Sequence, residues 1–475
     1  MDHFPRIPQS EQPPIERVVR PFQRFTKEAA AGGIVLMLCA AAALVWANSP
    51  WESSYENLWA TDMRLGIGRF FIEESLHFWI NDALMAVFFF VIGLEIKREL
   101  VGGELSSPRR AVFPVVAAIG GMVVPALIYA AFNATSDGSA GWAIPMATDI
   151  AFALGVLALL GSRAPLSLKI FLTAFAIVDD IGAIIVIALF YTGDVSWINV
   201  AVSGGLLAVL AVANRIGIVH TMFFALVGAA VWLAFLQSGI HTTVAGVLIA
   251  ATIPTRVQIN TFHFLERGRS LLRRFETGGG SGPDVPPSSV QRAAVHDLEL
   301  ACQDVESPLQ RIEHELHPWV ALGIMPLFAL ANAGIILDGN AADSLAEPVT
   351  LGVLLGLLIG KPLGIFGFAW LLARSGLSPL PAGLVWRHIL GAALLGGIGF
   401  TMALFITSLA FSDSELIAEA KLGILIGSIA AGVVAWVILR SCPANQGLDG
   451  QDNEHPTVAD ESVGAPAEGE PIGQE

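Results

Sequence analysis

Four ionisable residues stand inside apolar runs of this chain: Asp149 within Ile144–Leu154, the adjacent pair Asp179 and Asp180 within Ala174–Ala188, and Lys361 within Leu354–Phe366. At the centre of a bilayer each would cost about 2.5–3.5 kcal/mol on insertion scales, so each needs a partner or a task. Neighbouring residues on a helix point about 100° apart. The two aspartates therefore cannot meet one lysine equivalently, and at least one should face a cavity. A carboxylate pair in a low-dielectric wall suits a small hard cation, because ionised oxygens replace part of its hydration shell. The same oxygens bind protons, and burial beside a like charge makes a carboxylate hold its proton more tightly. Cation and proton then compete. If the site opens to either side but crosses only when loaded, that competition couples cation exit to proton entry. Lys361, followed at once by Pro362, can act as counter-ion for one aspartate when no cation is bound, or release a proton as the cation arrives.

Elements that hold such residues must live in lipid. Hydrophobic residues make up 54% of the 475 residues and charged ones 14%, and the mean hydropathy is +0.66. No single water-soluble core of this size could bury that balance. Continuously apolar runs such as Ala117–Phe132 and Gly182–Phe190 lack the alternation of a membrane β-barrel. Helices, which satisfy their own backbone, are the expected spanning form. Apolar windows bounded by charge, Pro or Gly predict an all-α integral membrane protein of about twelve transmembrane helices. They lie near 30–47, 80–96, 111–132, 142–160, 168–191, 198–213, 221–237, 242–254, 319–337, 350–373, 389–411 and 419–440.

Short cytoplasmic loops collect Lys and Arg. An even number of spans puts both termini on one side. With that side inside, Arg17, Arg20, Arg24, Lys27, Lys97, Arg98, Arg109, Arg110, Arg163, Arg215, Arg374, Arg387 and Arg440 all fall in the cytoplasm, whereas Arg64, Arg69 and Lys421 lie at or beyond the outer boundary. The organisation expected is a cytoplasmic N-terminal segment 1–29, eight spans in 30–254, a long cytoplasmic loop 255–317, four spans in 318–440 and a tail 441–475. The loop holds seven arginines and the flexible run Gly278–Pro283, and the periodicity of Val290 to Leu316 predicts that part of it forms an amphipathic helix near the membrane surface. Eight acidic residues and no Lys or Arg follow Arg440, so much of the formal charge of −15 belongs to the tail. Polar, acidic and rich in Gly and Pro, it is expected to be disordered.

Spans 3–5 and 10–12 run in opposite directions, and the middle helix of each set is interrupted, by Ala143–Asp149 around Pro145 and by Gly396–Thr401 with Gly397 and Gly399. Proline removes an amide donor and glycine loosens a helix. Matching interruptions in inverted-topology repeats point to a midplane transport site where two interrupted helices cross. Asp149 could offset the positive half-helix ends there and Lys361 the negative ones. Glycines that only let helices pack closely would leave the same pattern. No phosphate loop, nucleophile elbow or cofactor loop appears, and Cys39, Cys302 and Cys442 have no metal-ligand or disulfide spacing. An enzyme, a cofactor and a nucleic-acid partner are not expected. A passive cation channel or a symporter for an organic anion would also use broken helices; the lysine facing the acids disfavours the first and the adjacent aspartates the second.

The segments Asn81–Glu99 (NDALMAVFFFVIGLEIKRE), Trp142–Gly155 (WAIPMATDIAFALG), Ala176–Ile184 (AIVDDIGAI) and Leu358–Gly364 (LIGKPLG) closely resemble signature segments of NhaA-type sodium/proton antiporters, and the likeness covers about 30–255 and 312–440. Inverted repeats are a known feature of that family, so the symmetry argument is not independent of the resemblance. The resemblance implies that Asp179 and Asp180 bind sodium and protons, with Thr148 and Asp149 on one broken helix and Lys361 nearby. It implies electrogenic exchange with more protons than sodium ions, lithium but not potassium as an alternative cation, and activation at alkaline pH. Glu95, Glu99, Glu313 and His314 match the cytoplasmic pH-sensing cluster, and His241 lies in the familiar context Ser238–His241. It further implies a bacterial inner membrane, contact with lipid, and the homodimer that family members often form. The loop 255–317 and the acidic tail are both longer than expected for the family.

Overall fold

The computed structural model describes residues 30–67, 70–218, 220–256, 259, 261–279, 286–336 and 344–442. The N-terminal segment 1–29, Arg69, residues 280–283 of the glycine-rich run and all of the tail beyond Cys442 lie outside the described residues.

The chain is mostly helical, and among the described residues six helices are long and apolar enough to cross a membrane: Leu76–Gly102, Pro108–Asn133, Leu166–Phe190, Trp197–Ile216, Pro348–Arg374 and Ser414–Arg440. Counting each bent pair as one span raises the number to nine. Asp137–Met146 with Ile150–Ala158 bends by 43°, Trp386–Gly396 with Phe400–Ala410 by 40°, and Ala31–Ala47 with Glu52–Trp59 by 118°. Thr221–Leu236 and Thr242–Thr252 are shorter apolar helices. This is a multi-pass membrane protein.

One feature departs from the sequence reading and a second refines it. An antiparallel hairpin, Asp62–Ile67 with Phe70–Ser75, stands where only loop was expected. Its pairing sets Arg64 opposite Glu73, the two lie 4.0 Å apart, and the Arg64 guanidinium stacks 3.4 Å over the Phe71 ring. Asp62–Ile67 alternates apolar residues with Asp62, Arg64 and Gly66, as a strand with one polar face does. The stretch 290–316 is two helices, Ser289–Val305 and Pro308–Trp319, because Ser307 caps the second through Gln310 and Pro308 opens it. A further helix, Thr261–Thr277, precedes them.

Two of the long helices approach at backbone distance. A Cβ on Gly120 would lie 2.3 Å from Gly364 O, and one on Gly364 would lie 2.0 Å from Gly120 O. Only glycine permits this crossing of Pro108–Asn133 with Lys361–Arg374. Just before it the helix widens into a π turn, Gly356–Gly360. Pro362 follows with no amide to donate, and the wider turn takes up the displaced carbonyls. Lys361 is thereby fixed in the bundle interior.

Candidate functional site

Pro145 and the glycines do break their helices, and the breaks meet. Ala147 and Asp149 are extended, with φ/ψ of −87°/146° and −89°/98°. Asp149 N donates to Ile398 O at 2.7 Å and Thr148 Oγ1 donates to Gly396 O at 2.9 Å, so each broken chain satisfies exposed backbone of the other. Close packing and breakage are both served at Gly397, where a Cβ would meet Leu357 O at 2.5 Å.

Asp149 caps two helices at once. Its Oδ1 accepts from Phe152 N at 2.9 Å, at the start of Ile150–Ala158. Its Oδ2 accepts from Thr401 N at 3.1 Å and from the Thr401 hydroxyl, at the start of Phe400–Ala410. One carboxylate thus faces two helix N-termini, where negative charge is favoured. Lys361 Nζ lies at an opposite kind of end. It donates to Met146 O, the last residue of Asp137–Met146, and to Asp179 Oδ2 at 2.8 Å.

Thr148, Asp149, Asp179, Asp180 and Lys361 are all at most 2% exposed. The two members of the aspartate pair differ. Asp179 is held by Lys361, and its Oδ1 makes no hydrogen bond of good geometry among the described residues, although Thr148 lies within electrostatic reach of the carboxylate. No hydrogen bond or ion pair to Asp180 occurs among the described residues, although Asp179, Glu95, Lys361 and Asp149 lie within electrostatic reach of it. Unpaired carboxylate oxygens beside an ammonium can exchange a proton for a cation.

Two polar clusters flank this centre. On the Gly102 end of Leu76–Gly102, Arg98 pairs with Glu313 and lies 3.4 Å from Glu99, whose other oxygen accepts from Glu104 N at 2.9 Å. Arg98, Glu306, Gln310, Glu313, His314 and His317 line a cavity of about 600 Å³, and Glu95 lies within reach of Arg98, Glu99 and Glu313 as well as of Asp180. Burial pushes the Glu313 carboxyl up from its ordinary range, against the pull of Arg98 and with a further push from Glu99. Burial holds the His317 imidazole down, and Arg98 and His314 add to this.

His241 is not part of that cluster. Its Nε2 lies 4.0 Å from Asp82 Oδ1, which accepts from Thr242 Oγ1 at 2.8 Å; its Nδ1 lies 2.9 Å from Thr243 Oγ1, and its ring meets Phe405 edge-on at 5.4 Å. Beside it, His77 Nε2 is 3.1 Å from Asn332 Oδ1, and Asn332 donates to Asn81 Oδ1 at 2.8 Å. Sequence reasoning passed over His77, Asp82 and Asn332. Asn81 and Asp82, two polar residues opening an apolar run, were the available signal.

The family model for Na+/H+ antiporter 1 matches residues 23–439. The Na(+)/H(+) antiporter NhaA of Koribacter versatilis is 51% identical over 426 residues, covering 90% of this chain and 92% of that one. NhaA 2 of Syntrophotalea carbinolica is 48% identical, covering 90% and 98%, and NhaA of Oleidesulfovibrio alaskensis is 47% identical, covering 91% and 96%. The chain belongs to the Na+/H+ antiporter 1 family.

Proposed function

We propose that the protein is a sodium/proton antiporter of the bacterial inner membrane that expels sodium in exchange for entering protons, with Asp179 and Asp180 as the shared site. The observation that carries this reading is the buried asymmetric pair, in which Lys361 engages Asp179 while Asp180 accepts no hydrogen bond among the described residues. Sodium arriving at the two carboxylates displaces the Asp180 proton and separates Asp179 from Lys361. Charge counting then fixes the coupling. A proton from Asp180 alone would exchange one positive charge for another, and the cycle would be electroneutral. Electrogenic exchange needs a second proton, and the Lys361 ammonium, deprived of Asp179, supplies it. Asp149, with its oxygens engaged by three donors, compensates the crossing helix ends together with Thr401, and Thr148 fixes the break.

Twelve spans follow if Ala30–Ala47 alone, each broken pair, the two shorter apolar helices and the run from Val320 to Asn332 are each counted once. Spans 3–5 and 10–12 then form inverted repeats about the crossing. Both termini and the segment 255–317 lie in the cytoplasm, as the Lys and Arg distribution favours. Glu95, Glu99, Glu313 and His314 set the pH response from the cytoplasmic cavity, while His241 and Asp82 act at the outer end. Lithium replaces sodium, and a homodimer is the assembly to test for.

Proteoliposomes or everted vesicles energised with a proton gradient test this. Sodium and lithium, but not potassium, should collapse the gradient, and Asp180→Asn should abolish the response. A well-inserted protein that gives no sodium response between about pH 6.5 and 9, the range in which perturbed carboxylates and histidines titrate, overturns the proposal.

A further inference from the structure

The segment between Thr255 and Pro308 forms a helical hairpin that the ion site does not use. Helix Thr261–Thr277 packs on Ser289–Val305 through the buried Leu271, Ala294 and Ala301. The facing ends of the two helices are tied together. Ser288 Oγ donates to Gly278 O at 2.8 Å, Gln291 Nε2 donates to Phe275 O at 3.3 Å, and Arg274 lies 3.6 Å from Asp297. The first helix turns a different face outward, where Phe262, Leu265 and Leu272 are 72%, 50% and 53% exposed. Their spacing places them on one stripe, with Arg269 inside it and Arg273 along its edge. Arg267, Arg269, Arg273 and Arg274 against Glu266 and Glu276 leave the helix basic.

We propose that this face binds the anionic headgroup layer of the membrane leaflet on its own side, with Phe262, Leu265 and Leu272 at the acyl boundary and Arg269 and Arg273 on lipid phosphates. A basic helix with an exposed Phe and Leu stripe has the composition of an interfacial helix. The chain also keeps it at that surface. The hairpin follows the apolar helix Thr242–Thr252 and runs into Pro308–Trp319, whose continuation re-enters the bundle at Met325–Asn332. Arginine inside an apolar stripe is tolerated at an interface because its long stem lets the guanidinium reach the headgroups. The acidic stretch beyond Arg440 matches the arginines in charge, but its few aliphatic residues, Leu448, Val458, Val463 and Ile472, offer little to cover the stripe.

The test uses the full chain with its three cysteines replaced by serine and a spin label at Phe262→Cys, Leu265→Cys, Leu272→Cys or, off the stripe, Ser270→Cys. Each is reconstituted in phosphatidylcholine vesicles with and without phosphatidylglycerol. Phosphatidylglycerol should raise the ratio of oxygen to nickel-chelate accessibility severalfold at 262, 265 and 272 and leave 270 unchanged. Arg269→Glu with Arg273→Glu should abolish the rise while sodium-dependent exchange reports an inserted, folded protein. Equal accessibility in both lipids overturns the proposal. So does protection that scales with protein density, which assigns the face to a second copy, or protection lost on deleting 443–475, which assigns it to the acidic stretch.

Discussion

Asp149 at the helix crossing and Asp180 on Leu166–Phe190 are both at most 2% exposed, yet their surroundings are opposite. Asp149 accepts from two backbone amides and a hydroxyl contributed by two helix starts. Among the described residues Asp180 receives no donor. Burial alone therefore does not mark an exchange site. A carboxylate that accepts from donors on two helix starts ties those helices together, whereas one left without donors can trade a proton for a cation. Asp179, with one oxygen on Lys361 and the other without a hydrogen bond of good geometry, stands between the two cases.

That contrast can be broken by substitution. The largest effect is expected from Asp180→Asn, which removes the exchangeable proton: sodium-dependent dissipation of a proton gradient should vanish while thermal stability stays close to that of the parent. Lys361→Gln comes next. It leaves Asp179 buried without its cation, and breaking such a pair costs about 3–5 kcal/mol, so melting temperature should fall clearly. Any surviving exchange should be electroneutral, read as insensitivity to an imposed membrane potential. Asp149→Asn should reverse the order of effects. Losing charge-assisted bonds at two caps costs roughly 1.5–3 kcal/mol, so stability should drop while sodium selectivity persists in the folded fraction.

The smallest effect is expected at the cavity lined by Arg98, Glu313 and His314. Burial raises the Glu313 carboxyl, so as pH rises the group loses its proton nearer neutrality than an exposed glutamate would, and its attraction to Arg98 then reaches full strength. Glu313→Gln fixes the neutral, low-pH form. Its pH–activity profile should flatten or move to more alkaline values, by under about one unit if the rest of the cluster still responds. An unchanged profile would remove Glu313 from the regulatory reading.

The sequence makes the membrane class and the four buried charges plain, because an apolar run with one ionisable residue is a strong local signal. Pro145, Gly397 and Gly399 mark both breaks for the same reason. What joins these features is not local. Asp149 meets Thr401 across 252 positions and Arg98 meets Glu313 across 215, and no periodicity reports such pairings. The hairpin Asp62–Ser75 was hidden in a short charged stretch, where alternation over six residues is weak evidence. The context Ser238–His241 likewise gives no sign that the His241 ring packs against Asp82 and Phe405. In the loop, the periodicity of Val290 to Leu316 runs over two helices, Ser289–Val305 and Pro308–Trp319, cut at Ser307, and the helix Thr261–Thr277 ahead of them was not singled out.

Proton release on sodium binding tests the central claim most directly. In weakly buffered detergent solution, adding sodium to the purified protein should release two protons per ion from the parent, one from Lys361→Gln and none from Asp180→Asn, while Asp149→Asn should release as many as the parent. Release from Asp180→Asn equal to that of the parent, or loss of release only in Asp149→Asn, would contradict the account and move the exchange site to the helix crossing.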